Sequence, residues 1–167
     1  MYACWNARAV GLSMTIEDAI ELAADAGFEG VDALVRDAVD SGADVAGLRR
    51  RMDGMGLRGG GWTLPMNWKN ESAAFEADLA KLPRYAEAAA ELGLLQTGTW
   101  VRYESDPVDP EILNDPARRA IEAARAMAWQ TDRLARIADV LARNGIHLGL
   151  EILGSRSERT GRGIVLT

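Results

Sequence analysis

The sequence predicts an α/β fold in which short parallel strands alternate with helices. Four glycines, Gly27, Gly56, Gly93 and Gly145, each end a helix-like segment and are each followed by an apolar residue that begins a strand-like run. Apolar residues recur at spacings of three and four within the helix-like segments. Because the order helix, glycine, strand repeats, we predict about five parallel strands and four helices joined by right-handed crossovers.

The first two helices are predicted from their caps and apolar stripes. Thr15 is a good N-cap for the first helix. Glu17 and Asp18 lie in its first turn, where the positive end of the helix dipole stabilises negative charge. The predicted buried positions are Ile16, Ala19, Ile20 and Ala23 in the first helix, and Val45, Leu48, Met52 and Met55 in the second.

The third and fourth helices are longer. The third begins at about Glu71, and Pro83 should kink or divide it because proline lacks a backbone donor. The fourth begins after Asp115 as its cap, with Pro116 at the first position, and forms one long helix or two. Their apolar faces comprise Phe75, Leu79, Leu82, Ala86 and Ala89 in the third, and Ile121, Ala124, Ala128, Leu134, Ile137 and Leu141 in the fourth.

The five strands are predicted at residues 2–6, 30–34, 57–63, 96–101 and 146–151. The segment 103–115 contains two prolines and several acids, so we expect a loop after the fourth strand.

Two folds fit this alternation of strands and helices. A doubly wound nucleotide-binding sheet requires a glycine-rich turn after its first strand, and residues 6–13 contain only Gly11. A (β/α)₈ barrel instead spreads its site over many strand ends, where this chain has Trp5, Asn6, Asp32, Trp62, Trp100 and Glu151. A complete barrel needs about 250 residues. We therefore predict that residues 1–167 form a single domain, a partial (β/α)₈ TIM barrel that is truncated after the fifth strand.

Composition narrows the classes of function. The formal net charge is −6 and the pI is about 4.9, which disfavours nucleic acid as a partner. Cys4 is the only cysteine, so the chain cannot form an internal disulfide, and we expect it to pack as a small hydrophobe. A charged and apolar leader and a run of about 18 apolar residues are both absent from the sequence, so we expect a cytoplasmic protein with no membrane partner.

Glu151 is the residue that points most directly to chemistry. A carboxylate at the carboxyl end of a parallel strand can bind a divalent cation or move a proton. His147, the only histidine, lies four residues earlier, toward the opposite face of a barrel, and we expect no catalytic role for it. For Asp32 we favour a structural role in the turn before Arg36 and Asp37.

Four segments together resemble a known family. They are GFEGVDALVRD (27–37), LPRYAEAAAELG (82–93), TGTW (97–100) and RLARIADVLARNGIHLGLEILG (133–154). In order and spacing they resemble the sugar phosphate isomerase/epimerase proteins of the xylose-isomerase-like TIM barrel superfamily. The resemblance implies that Glu151 is a divalent-metal ligand, for Mn²⁺, Mg²⁺ or a similar ion. It also implies that the other ligands lie on later strands, so this chain holds an incomplete site and should be inactive alone.

The resemblance implies a sugar or sugar phosphate as substrate. Trp62 and Trp100 are either flat walls for the C–H face of a sugar or part of the core, and Asn6 and Arg102 could bond its hydroxyls. A phosphate could meet the arginines that follow Glu151, which are Arg156, Arg159 and Arg162, although arginines in loops are more often only solvated.

Two alternatives stay open beside an N-terminal portion of an isomerase or epimerase. The same barrel could carry out inosose-type dehydratase or endonuclease chemistry, and the acidic charge speaks against the nuclease. The chain could also be a non-catalytic half-barrel that self-associates through exposed sheet edges.

Overall fold

A computed structural model describes residues 1–102, 104–153 and 161–166, apart from the side chain of Arg102. Contacts divide the chain into two compact units. The first unit comprises Met1–Gly98 and Ile137–Gly149, and the second comprises Thr99–Arg136 and Leu150–Thr167. The boundaries between the units fall within strands and within a long helix, and the number of domains stays a prediction.

Five strands form one parallel sheet in sequence order, which confirms the predicted fold class. The strands are β1 (Cys4–Trp5), β2 (Gly30–Ala33), β3 (Arg58–Thr63), β4 (Gln96–Arg102) and β5 (His147–Leu153). In the register, Trp5 pairs with Val31 and Trp62 pairs with Thr97. A strand order without reversal is that of a barrel wall and not that of a doubly wound sheet.

The described residues contain six α-helices and one 3₁₀ turn. The helices are α1 (Ile16–Asp25), α2 (Val35–Ser41), α3 (Val45–Gly54), α4 (Ser72–Glu91), α5 (Pro110–Asn114) and α6 (Pro116–Ala142), and the 3₁₀ turn is Arg8–Val10. The sequence analysis missed α2, and it assigned the segment that contains α5 to a loop. Both helices are short, with seven and five residues, so neither shows a full amphipathic repeat.

The predicted helix ends are confirmed by their hydrogen bonds. Thr15 Oγ1 accepts from the Asp18 N–H at 3.1 Å, and Asp115 Oδ1 accepts from the Ala117 N–H at 2.9 Å. At the joint after α1, Gly27 has φ +76°, a left-handed conformation that glycine adopts without steric cost. The chain can therefore turn there from helix to strand.

Two expectations about the helices are corrected. Helix α4 is continuous through Pro83, so the proline does not divide it, and a kink there stays a prediction. Pro83 is exposed, while Leu82 and Tyr85 are buried. Tertiary packing on both sides of the proline therefore holds the helix together. In α6 only the C-terminal part is buried, since Leu134, Ile137 and Leu141 are covered and Ile121 is 54% exposed. Ala124 and Ala128 are exposed too, as is Met55, which lies just after α3.

The core of the first unit lies between its helices and the sheet. Val31 of β2 is fully buried, as are Ile20 of α1, Met52 of α3, Leu82 of α4 and Ile137 at the end of α6. Burial of these apolar side chains holds the helices against the sheet and so fixes the positions of the strands. None of the helices in the described ranges is both long and apolar enough to cross a membrane.

Candidate functional site

The carboxyl ends of the first three strands are tied together by one carboxylate. Asp32, in β2, accepts at Oδ2 from the Asn6 side-chain amide at 2.9 Å. Its Oδ1 accepts from the backbone N–H of Gly61, in β3, at 2.7 Å. Asn6 follows β1 directly, and its own Oδ1 accepts from the Ala9 N–H at 3.0 Å. The expected structural role of Asp32 agrees with these contacts, which join three strands rather than the following turn.

Cys4 lies beside this carboxylate. A Cβ added to Gly60 would meet both the Cys4 sulfur, at 2.9 Å, and Asp32, so the glycine leaves room for both. Burial, followed by the negative charges of Asp32 and Glu29, raises the pKa of the Cys4 thiol. The raised pKa favours the protonated thiol, which makes Cys4 a poorer nucleophile than an ordinary cysteine.

Trp62 is packed rather than open. Its side chain is only 5% exposed, and the backbone oxygen of Trp62 accepts from Thr97 Oγ1 at 2.7 Å. The indole Nε1 is buried and has no hydrogen-bond partner among the described residues. The observed packing leaves little of the ring to contact a sugar, and a role in substrate binding stays a prediction.

The other predicted site residues belong to the second unit. Trp100 is the fifth residue of β4 and is 58% exposed, and Arg102 ends that strand, with a side chain outside the described residues. Glu151 is exposed and is the fifth of seven residues in β5, so the strand continues two residues beyond the predicted end. The convergence of these residues with Asn6 and Trp62 stays a prediction.

Two of the predicted residues that are close to Glu151 in the sequence, His147 and Arg162, lie within the described residues. His147 is the first residue of β5, the position expected for a residue without a catalytic role. Arg156 and Arg159 lie outside the described residues. Arg162 is exposed, and its backbone oxygen accepts from the Val108 N–H at 2.9 Å.

The sequence analysis did not predict a cavity of about 590 Å³ in the first unit. We call it the loop cavity. Its lining residues come from the ends of the first three strands, from the segments that follow them, and from α4: Arg8, residues 33–37, Asp40, residues 63–67, Asn70 and Asp78. This volume lies in the range of small-molecule sites. Its position, at the carboxyl ends of β2 and β3, is where barrels bind ligands.

Two ion pairs line the loop cavity. Arg8 Nη2 lies 3.1 Å from Asp37 Oδ2, and Arg36 Nε lies 3.6 Å from Asp40 Oδ2. Asp40 also pairs with Arg84 and accepts from the buried Tyr85 hydroxyl at 2.9 Å. Asp40 is therefore a structural link between α2 and α4, whereas the pair of Arg8 and Asp37 stands more open to solvent.

The donor set of the described residues does not by itself make a metal site. Among the described residues, no group of three or more His, Cys, Asp or Glu side chains could hold a metal ion. Glu151 offers one carboxylate, and a hard divalent cation takes about six oxygen ligands. A metal bound at Glu151 would thus need ligands from outside the described residues.

Comparison with known proteins was made at the levels of sequence and fold. Neither a protein-family model nor a curated protein matches the sequence. Among solved structures, a xylose isomerase domain protein from Alicyclobacillus acidocaldarius subsp. acidocaldarius matches 100% of this chain with 22% identity and a TM-score of 0.75. The match covers 56% of that protein. This chain has the fold of the xylose isomerase-like TIM barrels.

Two further solved structures share this fold. The IOLI protein with a bound zinc atom matches over 92% of this chain and 52% of its own, with 12% identity and a TM-score of 0.68. A D-psicose 3-epimerase in the presence of D-fructose matches over 87% of this chain and 49% of its own, with 22% identity and a TM-score of 0.58. The chain spans about half the length of these structures. The resemblance found in the sequence is confirmed at the level of the fold.

Proposed function

We propose that this chain is the N-terminal portion of a cytoplasmic sugar or sugar-phosphate isomerase or epimerase, with Glu151 as its reactive carboxylate. The observation that carries the proposal is the position of Glu151, exposed in the carboxyl-terminal half of a parallel strand in a sheet of this fold. In support, solved structures of the same fold include an epimerase in the presence of D-fructose.

The proposed chemistry is the movement of one proton at a carbon next to a carbonyl. The carboxylate of Glu151 takes the proton. The C–H electron pair then forms a carbon–carbon double bond, and the carbonyl π electrons move onto oxygen to give an enediolate. In an isomerase the proton returns to the neighbouring carbon, and a hydroxyl proton passes between the two oxygens of the enediolate, so that the carbonyl forms at the first carbon. In an epimerase a proton returns to the same carbon on the opposite face, from a second acid. The exposed carboxylate of Glu151 is open to such a substrate.

Two tryptophans and two polar residues complete the proposed substrate contacts. The indole of Trp100 is exposed enough to lie against the C–H face of a sugar ring. Asn6 is exposed after β1, and we propose that it and Arg102 bond hydroxyls. Trp62 would contribute only if its ring became more exposed.

We further propose that Glu151 is one ligand of a divalent metal, which would supply positive charge beside the developing oxyanion. Since the described residues do not complete such a site, the remaining ligands would come from outside the described residues. A zinc atom is present in one solved structure of this fold, the IOLI protein.

A second candidate function is a half-barrel that associates with itself. The observation that favours it is the exposure of two apolar residues on one side of β5, Leu150 at 52% and Ile152 at 67%. A sheet face of this kind is normally covered by helices in a barrel.

Dehydratase chemistry on the same fold would share the proton-abstraction step at Glu151, and the products of the reaction distinguish it.

The proposal is tested by following the exchange of carbon-bound hydrogen in D₂O. Residues 1–167, and a protein that extends this sequence through the remaining strands, are incubated with Mn²⁺ and a panel of ketoses and ketose phosphates. Deuterium incorporation is read by NMR. We expect exchange only with the extended protein, and a loss of about a hundredfold or more in Glu151→Gln. Glu87→Gln, which changes an exposed carboxylate on α4, serves as the matched control and should retain activity.

Two results would overturn the proposal. Exchange that persists in Glu151→Gln would remove the residue from the chemistry, and exchange with formation of an unsaturated product would indicate a dehydratase. Turnover by residues 1–167 alone that Glu151→Gln abolishes would keep the role of Glu151 but contradict the expectation that this chain is inactive alone.

A further inference from the structure

A second cleft, of about 510 Å³, lies in the first unit at the amino-terminal ends of the strands, the end away from the loop cavity. We call it the amino-terminal cleft. Its lining residues precede β1, end α3, begin β3 or precede β4: Tyr2, Arg49, Asp53, residues 56–59 and Gly93. We propose that it binds a small planar carboxylate, with Arg58 as the residue that holds the charge. The proposal is independent of the proposed function, since it involves neither Glu151 nor a sugar.

Tyr2 holds the guanidinium of Arg58 in a fixed orientation. The guanidinium carbon lies over the Tyr2 ring, 4.7 Å from the ring centroid. The ring is itself anchored, because the Tyr2 hydroxyl donates to the Gly59 carbonyl at 2.6 Å. It also packs closely on Gly30, where an added Cβ would lie 2.8 Å from the ring. A guanidinium that is oriented before binding loses less conformational freedom for each hydrogen bond that it forms.

The Arg58 guanidinium is only loosely paired within the protein. Its Nη2 lies 3.7 Å from Oε1 of Glu29, which is longer than a hydrogen bond. The other oxygen of Glu29 accepts from the Ala3 N–H at 3.2 Å. The Arg58 side chain is 62% exposed, so its planar fork of N–H donors is open to a ligand. A ligand carboxylate can bond this fork in a bidentate way and so replace a loose ion pair with a close one.

Arg49, the other arginine of the amino-terminal cleft, is structural. It donates to the Leu92 carbonyl at 3.0 Å, and two of its nitrogens lie 2.6 and 3.1 Å from the two oxygens of Asp53. When Glu29 is counted beside Arg58, two arginines face two carboxylates, so the cleft has no excess charge. The attraction for an anion therefore comes from close pairing with Arg58 and not from a general positive field.

The floor of the amino-terminal cleft favours a flat ligand. Gly56, Gly59 and Gly93 line it without side chains. Gly59 and Gly93 pack so closely that a Cβ added to Gly59 would lie 2.5 Å from the Gly93 carbonyl oxygen. Peptide groups that are free of side chains present a flat surface. An aromatic ring that carries the carboxylate can lie against this surface, and a puckered ring makes fewer contacts with it.

The proposal is tested by titrating isotope-labelled residues 1–167 with benzoate at constant ionic strength, followed through backbone amide chemical shifts. Benzoate should shift the amides of residues 56–59 and of Gly93. Two matched probes separate charge from shape. Benzyl alcohol, which is flat but uncharged, should bind at least about tenfold more weakly, as expected for the loss of hydrogen bonds to a charged group. Cyclohexanecarboxylate, which is charged but puckered, should bind several-fold more weakly.

Three variants test the role of Arg58. Arg58→Gln should weaken benzoate binding about tenfold. Arg50→Gln is the matched control, because Arg50 also forms an exposed pair, with Asp44, and does not line the amino-terminal cleft. Glu29→Gln removes the carboxylate that competes for Arg58, so it should strengthen benzoate binding several-fold.

Three results would overturn the proposal: amides of the amino-terminal cleft that do not respond to benzoate, equal binding of benzoate and benzyl alcohol, or equal loss of binding in Arg58→Gln and Arg50→Gln. If cyclohexanecarboxylate binds as tightly as benzoate, the preference for a planar ligand is wrong. None of these readouts depends on Glu151, so the exchange assay and this titration can fail separately.

Discussion

Asn6 donates from its side-chain amide to the carboxylate of Asp32 at 2.9 Å, which joins the carboxyl ends of two neighbouring strands. The other oxygen of Asp32 is held by the N–H of Gly61, so the carboxylate has a fixed orientation. Hydrogen bonds to a charged acceptor are stronger than those between neutral groups. The tips of the first three strands are thus held by one side chain, and any ligand on this face meets a pre-organised edge.

Replacing Asp32 should destabilise the fold. Asp32→Ala removes both bonds and leaves the Gly61 N–H without its acceptor, so we expect a loss of about 1–3 kcal/mol in the free energy of unfolding. Asp32→Asn keeps one carbonyl oxygen and should cost less. Urea denaturation followed by circular dichroism measures both. If Asp32→Ala is as stable as the unaltered chain, the hydrogen bonds of Asp32 do not stabilise the pairing of the strands.

The space at Gly60 should be intolerant of a side chain. A methyl group there would press on Asp32 and on the sulfur of Cys4, and Asp32 cannot retreat without losing its bond to Gly61. We expect Gly60→Ala to cost about 1–3 kcal/mol, as overpacking does. Gly54→Ala, at the end of α3 with nothing within 4 Å of the added carbon, is the matched control. It should be neutral or stabilising by up to about 1 kcal/mol in the same urea series.

Cys4 should react slowly. Burial, aided by Asp32 and Glu29, raises its pKa, so the thiolate fraction near pH 8 is smaller than in the unfolded chain. The rate of iodoacetamide alkylation against pH should show an inflection at higher pH in the folded protein. Since the folded state holds this proton more tightly, the stability it contributes is full below the unfolded pKa. That stability is lost as the pH rises through the folded value.

Two substitutions test the cause of the Cys4 shift. Glu29→Gln should lower the alkylation inflection slightly, and Arg58→Gln should raise it, because Arg58 acts in the opposite direction. An inflection in the folded protein that equals that of the unfolded chain would refute the assigned environment of the thiol.

The exposed side of β5 should drive self-association of residues 1–167. In size-exclusion chromatography with light scattering, we expect a measured molar mass greater than the 18.1 kDa of the monomer. Ile152→Lys should weaken association at least tenfold, since burying an isoleucine contributes about 1.5–3 kcal/mol. Val10→Lys changes another exposed aliphatic residue, outside the sheet, and should have no effect. A monomeric unaltered chain would rule out the half-barrel alternative.

Much of the fold could be predicted because its signals are local. The cap at Thr15 bonds a residue three positions away, and Gly27 and Gly145 take the left-handed conformation that ends a helix before a strand. Each depends on neighbours within one turn of the chain. The parallel order of the strands follows from the repetition of these joints.

Burial along α6 was decided only by the tertiary structure. Ile121 and Ile137 are the same residue type in the apolar repeat of one helix, so the sequence predicts burial for both. Ile121 is nevertheless exposed, and Ile137 is fully buried. Burial depends on which elements pack against the helix, and a hydrophobic repeat does not name them.

The candidate site shows the same division. The sequence alone predicted Glu151 as the last residue of a strand, from the short apolar run after Gly145, and the structure places it as the fifth of seven residues in β5. Only the tertiary structure paired Asn6 with Asp32, 26 residues apart, and Arg8 with Asp37, 29 residues apart, at the rim of the loop cavity. A hydrogen bond requires two groups to meet within about 3 Å. Groups this far apart in sequence reach that distance only after the strands have paired and the helices have packed against them.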